Sequence, residues 1–181
     1  MLIACKFEEI VPPMTHDYQY ITGDMCQRRQ IIEMEAQILS KISFDISKFP
    51  TTVQFLDSFV LASHIFKDGR FETEKVYHLS RYLTELSLIE CKMLKYSPSM
   101  VAAGALCLSL KLLKVKFTWD AEISKITSYK KEDLVKCAQD MVTLLIGIRK
   151  CSLKAIKVKF GQKCFSSISN EEFEGLTVKK D

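Results

Sequence analysis

Apolar residues recur along most of this chain at the three-and-four spacing of a helix, and the runs are broken by proline, glycine and short polar clusters. From Gln27 to Ile42, the residues Ile31, Met34, Ile38, Leu39 and Ile42 follow the i, i+3, i+4, i+7 rule and predict an amphipathic helix. Pro50-Thr51-Thr52 opens the next helix, with Val53, Leu56, Phe59 and Val60 on one face. A polar gap at Asp68-Gly69-Arg70 precedes a helix over residues 74–89, with Val76, Leu79, Leu83 and Leu86 inward. Ser97-Pro98 reads as an N-cap followed by proline at the first helical position. The helix it opens, to about Val115, is crowded with Ala102, Ala103, Gly104 and Ala105. Small side chains let neighbours approach closely, so this helix should be central. A short piece over residues 119–126 follows, then a helix over 131–146 with Leu134, Cys137, Met141, Val142 and Leu145 buried.

The two ends read differently. At the start, Met1-Leu2-Ile3-Ala4 looks like the end of a helix that runs through Lys6 and stops before Pro12-Pro13. Residues 17–22 make a short amphipathic segment anchored by Tyr18 and Ile21, ended by Gly23-Asp24. At the other end, residues 149–163 carry Arg149, Lys150, Lys154, Lys157, Lys159 and Lys163 and no acid. Without interleaved aromatic residues this reads as the solvated face of a last helix, not a stacking platform for nucleic acid. From Ser166 onward the chain is polar and expected to be loose.

The pattern repeats. Ile3, Lys6, Phe7, Ile10, Ile21 and Thr22 superpose in register on Leu108, Lys111, Leu112, Val115, Ile126 and Thr127. With a two-residue deletion, Ile31, Met34, Ile38, Leu39 and Ile42 superpose on Leu134, Cys137, Met141, Val142 and Leu145. Each copy is a helix, a short helix and an amphipathic helix. The second copy follows further helices from Pro50 onward, whereas the first copy follows almost nothing. On equivalence of the copies, roughly 55 residues of the first are expected to be absent, as in an incomplete or natively short chain. One position breaks the match: Glu35 lies on the apolar stripe where the second copy has Ala138. A carboxylate on a buried face is costly unless paired, so Glu35 predicts an ion pair with Lys6, a polar contact to a partner, or both.

Composition narrows the class. The 181 residues are 48% hydrophobic and 27% charged, with only 6 Gly and 4 Pro, which favours helices over a turn-rich β fold. Seven scattered cysteines without a Cys-x-x-Cys pair argue for reduced, mostly buried thiols rather than a disulfide framework or zinc site. Such thiols fit a soluble nuclear or cytosolic protein. The most apolar run, Met100 to Leu113, contains Lys111 and is too short to span a bilayer. Catalytic machinery is not evident. His16, His64 and His78 lack metal-ligand spacing, no Gly-rich phosphate loop occurs, and no nucleophile sits beside a base. No catalytic residue, metal ligand, cofactor or small-molecule substrate is therefore assigned, and turnover by the chain alone should be absent.

Taken together, Lys6-Phe7-Glu8-Glu9-Ile10-Val11-Pro12-Pro13, Tyr20-Ile21-Thr22 and Met34-Glu35 resemble the first helical box of a cyclin. Ser43-Phe44-Asp45-Ile46-Ser47 with Pro50-Thr51 resembles the junction between boxes. Glu85-Leu86-Ser87-Leu88 and Ser97-Pro98-Ser99 resemble the second box of mitotic A/B-type cyclins. The resemblance runs from Met1 to about Ser167. It implies an all-α cyclin fold: the last helices of a first box in residues 1–46, a complete five-helix second box in 47–148, and a C-terminal helix and tail in 149–181.

By that resemblance the chain is a regulatory subunit, nuclear and cytoplasmic, that binds and activates a cyclin-dependent serine/threonine kinase in G2/M control. In the family, the lysine of the Lys-Phe-Glu-Glu motif and a glutamate of the fifth helix contact the kinase. Here these are Lys6 and Glu35, accompanied by the apolar Phe7, Leu39, Phe44 and Ile46. The family's threonine cap of that helix is replaced by Gln27, leaving Asp24 as the nearest cap. The helices carrying the family's substrate-docking patch would lie upstream of Met1, and no Arg-x-x-Leu degradation motif occurs. The alternative is a transcription-factor-IIB-like protein that uses paired cyclin folds on DNA or polymerase, through residues 149–163 with Lys111, Lys114 and Lys116. Salt-sensitive retardation of DNA would favour that alternative.

Overall fold

The computed structural model describes residues 1–63, 71–115, 121–148 and 151–173. These residues form helices and turns, and no strand occurs among them. The chain falls into two compact units, Met1–Phe49 and Pro50–Asp181.

The first unit holds α1 (Leu2–Glu8), α2 (Thr15–Ile21) and α3 (Arg28–Lys41). α1 stops where expected: Glu9 is already extended, and Pro12-Pro13 follows. The N-cap of α3 is Gln27, whose backbone N–H donates to Gln30 Oε1 at 2.9 Å. Asp24 does not cap that helix, contrary to expectation. It sits in a left-handed turn (φ 59°) after α2, and its Oδ1 accepts from Gln19 Nε2 at 2.9 Å. Of the two expected anchors of α2, Tyr18 is buried and Ile21 is exposed. α3 carries its apolar stripe largely in the open. None of its residues is fully buried; Ile31, Glu35 and Leu39 are half-buried while Met34, Ile38 and Ile42 are exposed.

The second unit is built around α6 (Pro98–Leu112), which packs against α4 (Thr52–Ala62), α5 (Phe71–Ser87) and α8 (Lys131–Gly147). α7 (Ala121–Thr127) completes five helices. The small residues of α6 explain its position, for Ala102, Ala103, Gly104 and Ala105 are all buried. A Cβ on Gly104 would lie 3.2 Å from Cys137 Sγ of α8, so glycine there permits that close approach. One side of α6 (Ala102, Ala103, Leu106, Leu110) packs with Leu56, Phe59 and Val60 of α4. The other (Val101, Ala105, Leu108) packs with Leu79, Tyr82, Leu83 and Leu86 of α5 and with Cys137, Met141 and Leu145 of α8. A helix buried on opposite sides carries no single apolar stripe, which is why composition rather than periodicity marked it as central.

The start of α6 is set locally. Ser97 is its N-cap and accepts from the Met100 N–H at 3.2 Å, with Pro98 following. Ser97→Ala is expected to cost about 1 kcal/mol of stability, read as a lower urea midpoint at unchanged slope.

The C-terminal region departs from the sequence reading. Lys154, Lys159 and Lys163 of the basic stretch are exposed, but its apolar residues are not all on the surface. Its helix is α9 (Ala155–Phe160), six residues long, and Arg149 and Lys150 lie outside the described residues. Phe160 is fully buried between Tyr82 and Phe165, at ring-centroid distances of 5.3 and 4.8 Å. Residues 167–173 are not loose: Ile168 is fully buried in the same cluster, and Phe173 packs on it; residues 174–181 lie outside the described residues. Short 3-10 turns at Lys163–Phe165 and Ile168–Asn170 fold this segment back over α5. Apolar residues at such irregular spacing carry no helical signature, so tertiary packing alone reveals their role. Trp119 lies outside the described residues.

All seven cysteines are free, but they are not mostly buried. Cys137 alone is buried, and desolvation pushes its thiol up to about 12. Cys26, Cys91 and Cys164 are exposed.

Candidate functional site

The residues singled out by the resemblance all lie in the first unit. Lys6 occupies the last turn of α1, where a cation suits the helix dipole. Its ammonium reaches across to the middle of α3 and donates to both carboxylate oxygens of Glu35, at 2.8 and 2.9 Å. The pair is asymmetrically placed, since the Glu35 side chain is 14% exposed and that of Lys6 48%. A carboxylate so covered would be costly alone; the two-point contact with Lys6 offsets its desolvation. The ion pair anticipated for Glu35 therefore exists. It also leaves half of the Lys6 side chain open to solvent.

Leu39 lies one turn beyond Glu35 on the same face of α3 and is half-buried. Phe7 follows Lys6 in the chain and is 54% exposed. Phe44 and Ile46 lie in the turn after α3, and Phe44 is 72% exposed. Its backbone is held at φ 56°, beside Ser43 at φ 54°, a conformation that a bulky L-residue rarely adopts. The Phe44 N–H donates to the Leu39 carbonyl at 2.8 Å, closing the helix end and tying the turn to α3. Strained backbone carrying an exposed aromatic ring is the kind of feature that marks a functional surface.

Sequence reading missed part of this surface. Met34, Ile38 and Ile42, on the apolar stripe of α3 but not among the expected contact residues, are exposed. Ile10, Val11 and Met14, between α1 and α2, are exposed as well. Within this unit only Leu2 and Tyr18 are buried hydrophobic residues. Exposed apolar side chains with a few polar groups that fix register are features that protein-binding faces share. Among the described residues no group of three or more His, Cys, Asp or Glu side chains is placed to hold a metal ion. No helix among them is long and apolar enough to cross a membrane. The arrangement is suited to binding, with Lys6 and Glu35 as its electrostatic centre.

Comparison with known proteins places these units in a family. Residues 50–174 match the family described as cyclin, C-terminal domain, and residues 1–47 match cyclin, N-terminal domain. The chain is 37% identical over 171 residues to a G2/mitotic-specific cyclin-B of Spisula solidissima, covering 93% of this chain and 37% of that protein. It is 36% identical to Cyclin-A2-4 of Arabidopsis thaliana, covering 93% of this chain and 36% of that one. It is 32% identical to a G2/mitotic-specific cyclin-A of Hydra viridissima, covering 94% and 39%. The chain thus spans well under half the length of each of these relatives. With residues 50–174 matching the cyclin C-terminal domain and a shorter N-terminal segment that carries the Lys6–Glu35 pair, the chain belongs to the cyclin family, with similarity to its A and B types.

Proposed function

We propose that this chain is a regulatory subunit, not a catalyst, which docks on a cyclin-dependent serine/threonine kinase through the Lys6–Glu35 face. The kinase-contacting residues are Lys6, Phe7, Glu35, Leu39, Phe44 and Ile46, and the exposed Met34 and Ile38 of α3 extend the face. Docking would press on the αC helix of the kinase and bring its glutamate to the ATP-site lysine, the step that completes the phosphate-binding site. The setting is mitotic control in nucleus and cytoplasm, in keeping with relatives named G2/mitotic-specific cyclins. The observation that carries this reading is the 2.8 Å Lys6–Glu35 pair set in an otherwise apolar, exposed surface. The transcription-factor alternative has less support. Lys159, in the basic stretch that it would use, is paired with Glu85 at 2.7 Å and so is not free for phosphate.

The first unit has little core of its own, so part of the binding energy must order it. Affinity of the 181-residue chain for a cyclin-dependent kinase is expected to be weak, about micromolar, by calorimetry with purified proteins. Nanomolar binding with full activation would overturn the expectation of weak binding. No detectable binding, together with salt-sensitive binding to DNA, would overturn the functional reading itself.

A further inference from the structure

We propose that the segment from Lys163 to Phe173 is a pH-gated clasp on α5, with His78 as its latch.

The clasp has a defined course and a defined set of holds. Ile168 is buried in the core as an apolar peg. Beside it, the His78 ring meets Phe165 edge-on, with centroids 5.7 Å apart, and His78 Nδ1 lies 3.0 Å from Ser166 Oγ. Further along, Glu171 forms an ion pair with Lys75 of α5, and Ser169 Oγ donates to the Lys157 carbonyl at 2.7 Å. Against these holds stands backbone strain. Ser166 and Ser167 are consecutive residues in the left-handed region, at φ 55° and 50°. Non-glycine residues persist there only when surrounding contacts hold them. The Ser166 hydroxyl meets His78, while the Ser166 and Ser167 N–H groups donate to the Lys163 and Gln162 carbonyls at 2.9 and 3.0 Å.

His78 is a group whose ionisation would be penalised by burial while the clasp is shut. It is buried, and desolvation lowers its pKa below the ordinary value. Among the described residues the charges acting on it are both on α5: Glu74 works against the lowering and Arg81 adds to it. The clasp presents the uncharged Ser166 hydroxyl and Phe165 ring. Lys159 of α9 lies 5.9 Å from the Phe165 centroid, but its ammonium is engaged by Glu85. Among the described residues no acid of the clasp is bonded to the ring, so an imidazolium formed in place would be buried against the uncharged Ser166 hydroxyl alone.

The direction of the effect follows. When the clasp is open, the ring reaches water and its pKa returns towards 6.5. Protons therefore bind the open form more tightly than the closed one. Closure is fully supported above about pH 6.5 and is lost as pH falls from there through the lower pKa of the closed state. Opening would uncover the apolar surface around Phe160, Phe165 and Ile168.

The test is hydrogen exchange on the full chain, with protection factors corrected for intrinsic rates, at pH 7.5 and 5.5. The amides of Phe165, Ser166, Ser167 and Asn170 are bonded to carbonyls of Gln162, Lys163 and Ser167, in the clasp or at its start, and report on it. Their protection should fall by at least about threefold in acid, while amides of α6 keep theirs. In His78→Gln, which retains a side-chain amide near Ser166 without a titrating ring, the loss should vanish. An equal loss in that variant, or none in the native chain, would overturn the proposal. A readout independent of any variant is an NMR titration of the three histidine rings. The clasp amides should shift with the midpoint of His78, and a midpoint matching either other histidine would equally overturn it.

Discussion

Glu35→Lys is expected to weaken binding of the chain to a cyclin-dependent kinase by at least about 30-fold, or about 2 kcal/mol, with helical content unchanged. Two effects add. The substitution removes the carboxylate at the centre of the face, and it places a second cation beside Lys6, which now has no counter-charge. Helical content should persist because α3 has no fully buried residue and lysine is a good helix former. Charge reversal of both partners separates two roles that one variant cannot. In Lys6→Glu combined with Glu35→Lys, the ion pair can re-form with reversed polarity. If the pair served only to brace α1 against α3, the double variant would recover native affinity. If Lys6 and Glu35 meet complementary groups on the kinase, affinity stays low even though the pair is restored. Calorimetric titration of all four chains would decide. Recovery of affinity would remove Lys6 and Glu35 from the docking site while leaving the family membership untouched.

Phe160→Ala should destabilise the second unit by about 3–5 kcal/mol, the range for emptying a fully buried aromatic site. The ring is wholly enclosed, packed on Tyr82 of α5 and on Phe165, so its removal opens a cavity bounded by two other rings. Urea denaturation followed by circular dichroism would measure the change in midpoint. The result matters because it distinguishes two views of residues 155–173. If this region were an appendage on a finished five-helix unit, the substitution would cost less than about 1 kcal/mol. A loss of several kcal/mol would make it part of the core, as the burial of Phe160 and Ile168 implies.

These two substitutions fall on either side of what could be read from the residues. The helices of the second unit were legible because each carries its own local signals. Ser97-Pro98 marks a start, Leu79, Leu83 and Leu86 repeat at helical spacing, and the small residues of α6 leave room for neighbours. The Lys6–Glu35 pair was legible for a different reason. A carboxylate on an apolar stripe poses an energetic problem, and a single well-placed lysine was available to answer it. By contrast, Met34 and Ile38 satisfy the same periodicity as Cys137 and Met141, yet the first pair is exposed and the second is buried. Periodicity specifies a face; it does not specify what covers that face.

The sequence by itself determined the helical class, the repeated helix–short helix–helix order, the family resemblance and the charged pair. These depend on spacing along one chain, on local caps and on the cost of an unpaired charge, all of which act over a few residues or between chemically obvious partners. Tertiary structure alone decided that α3 leaves an apolar stripe open, that Phe44 is held at positive φ, and that Phe160 and Ile168 close the core behind α5. Burial is a property of which surfaces meet across long separations, and no local pattern encodes that meeting.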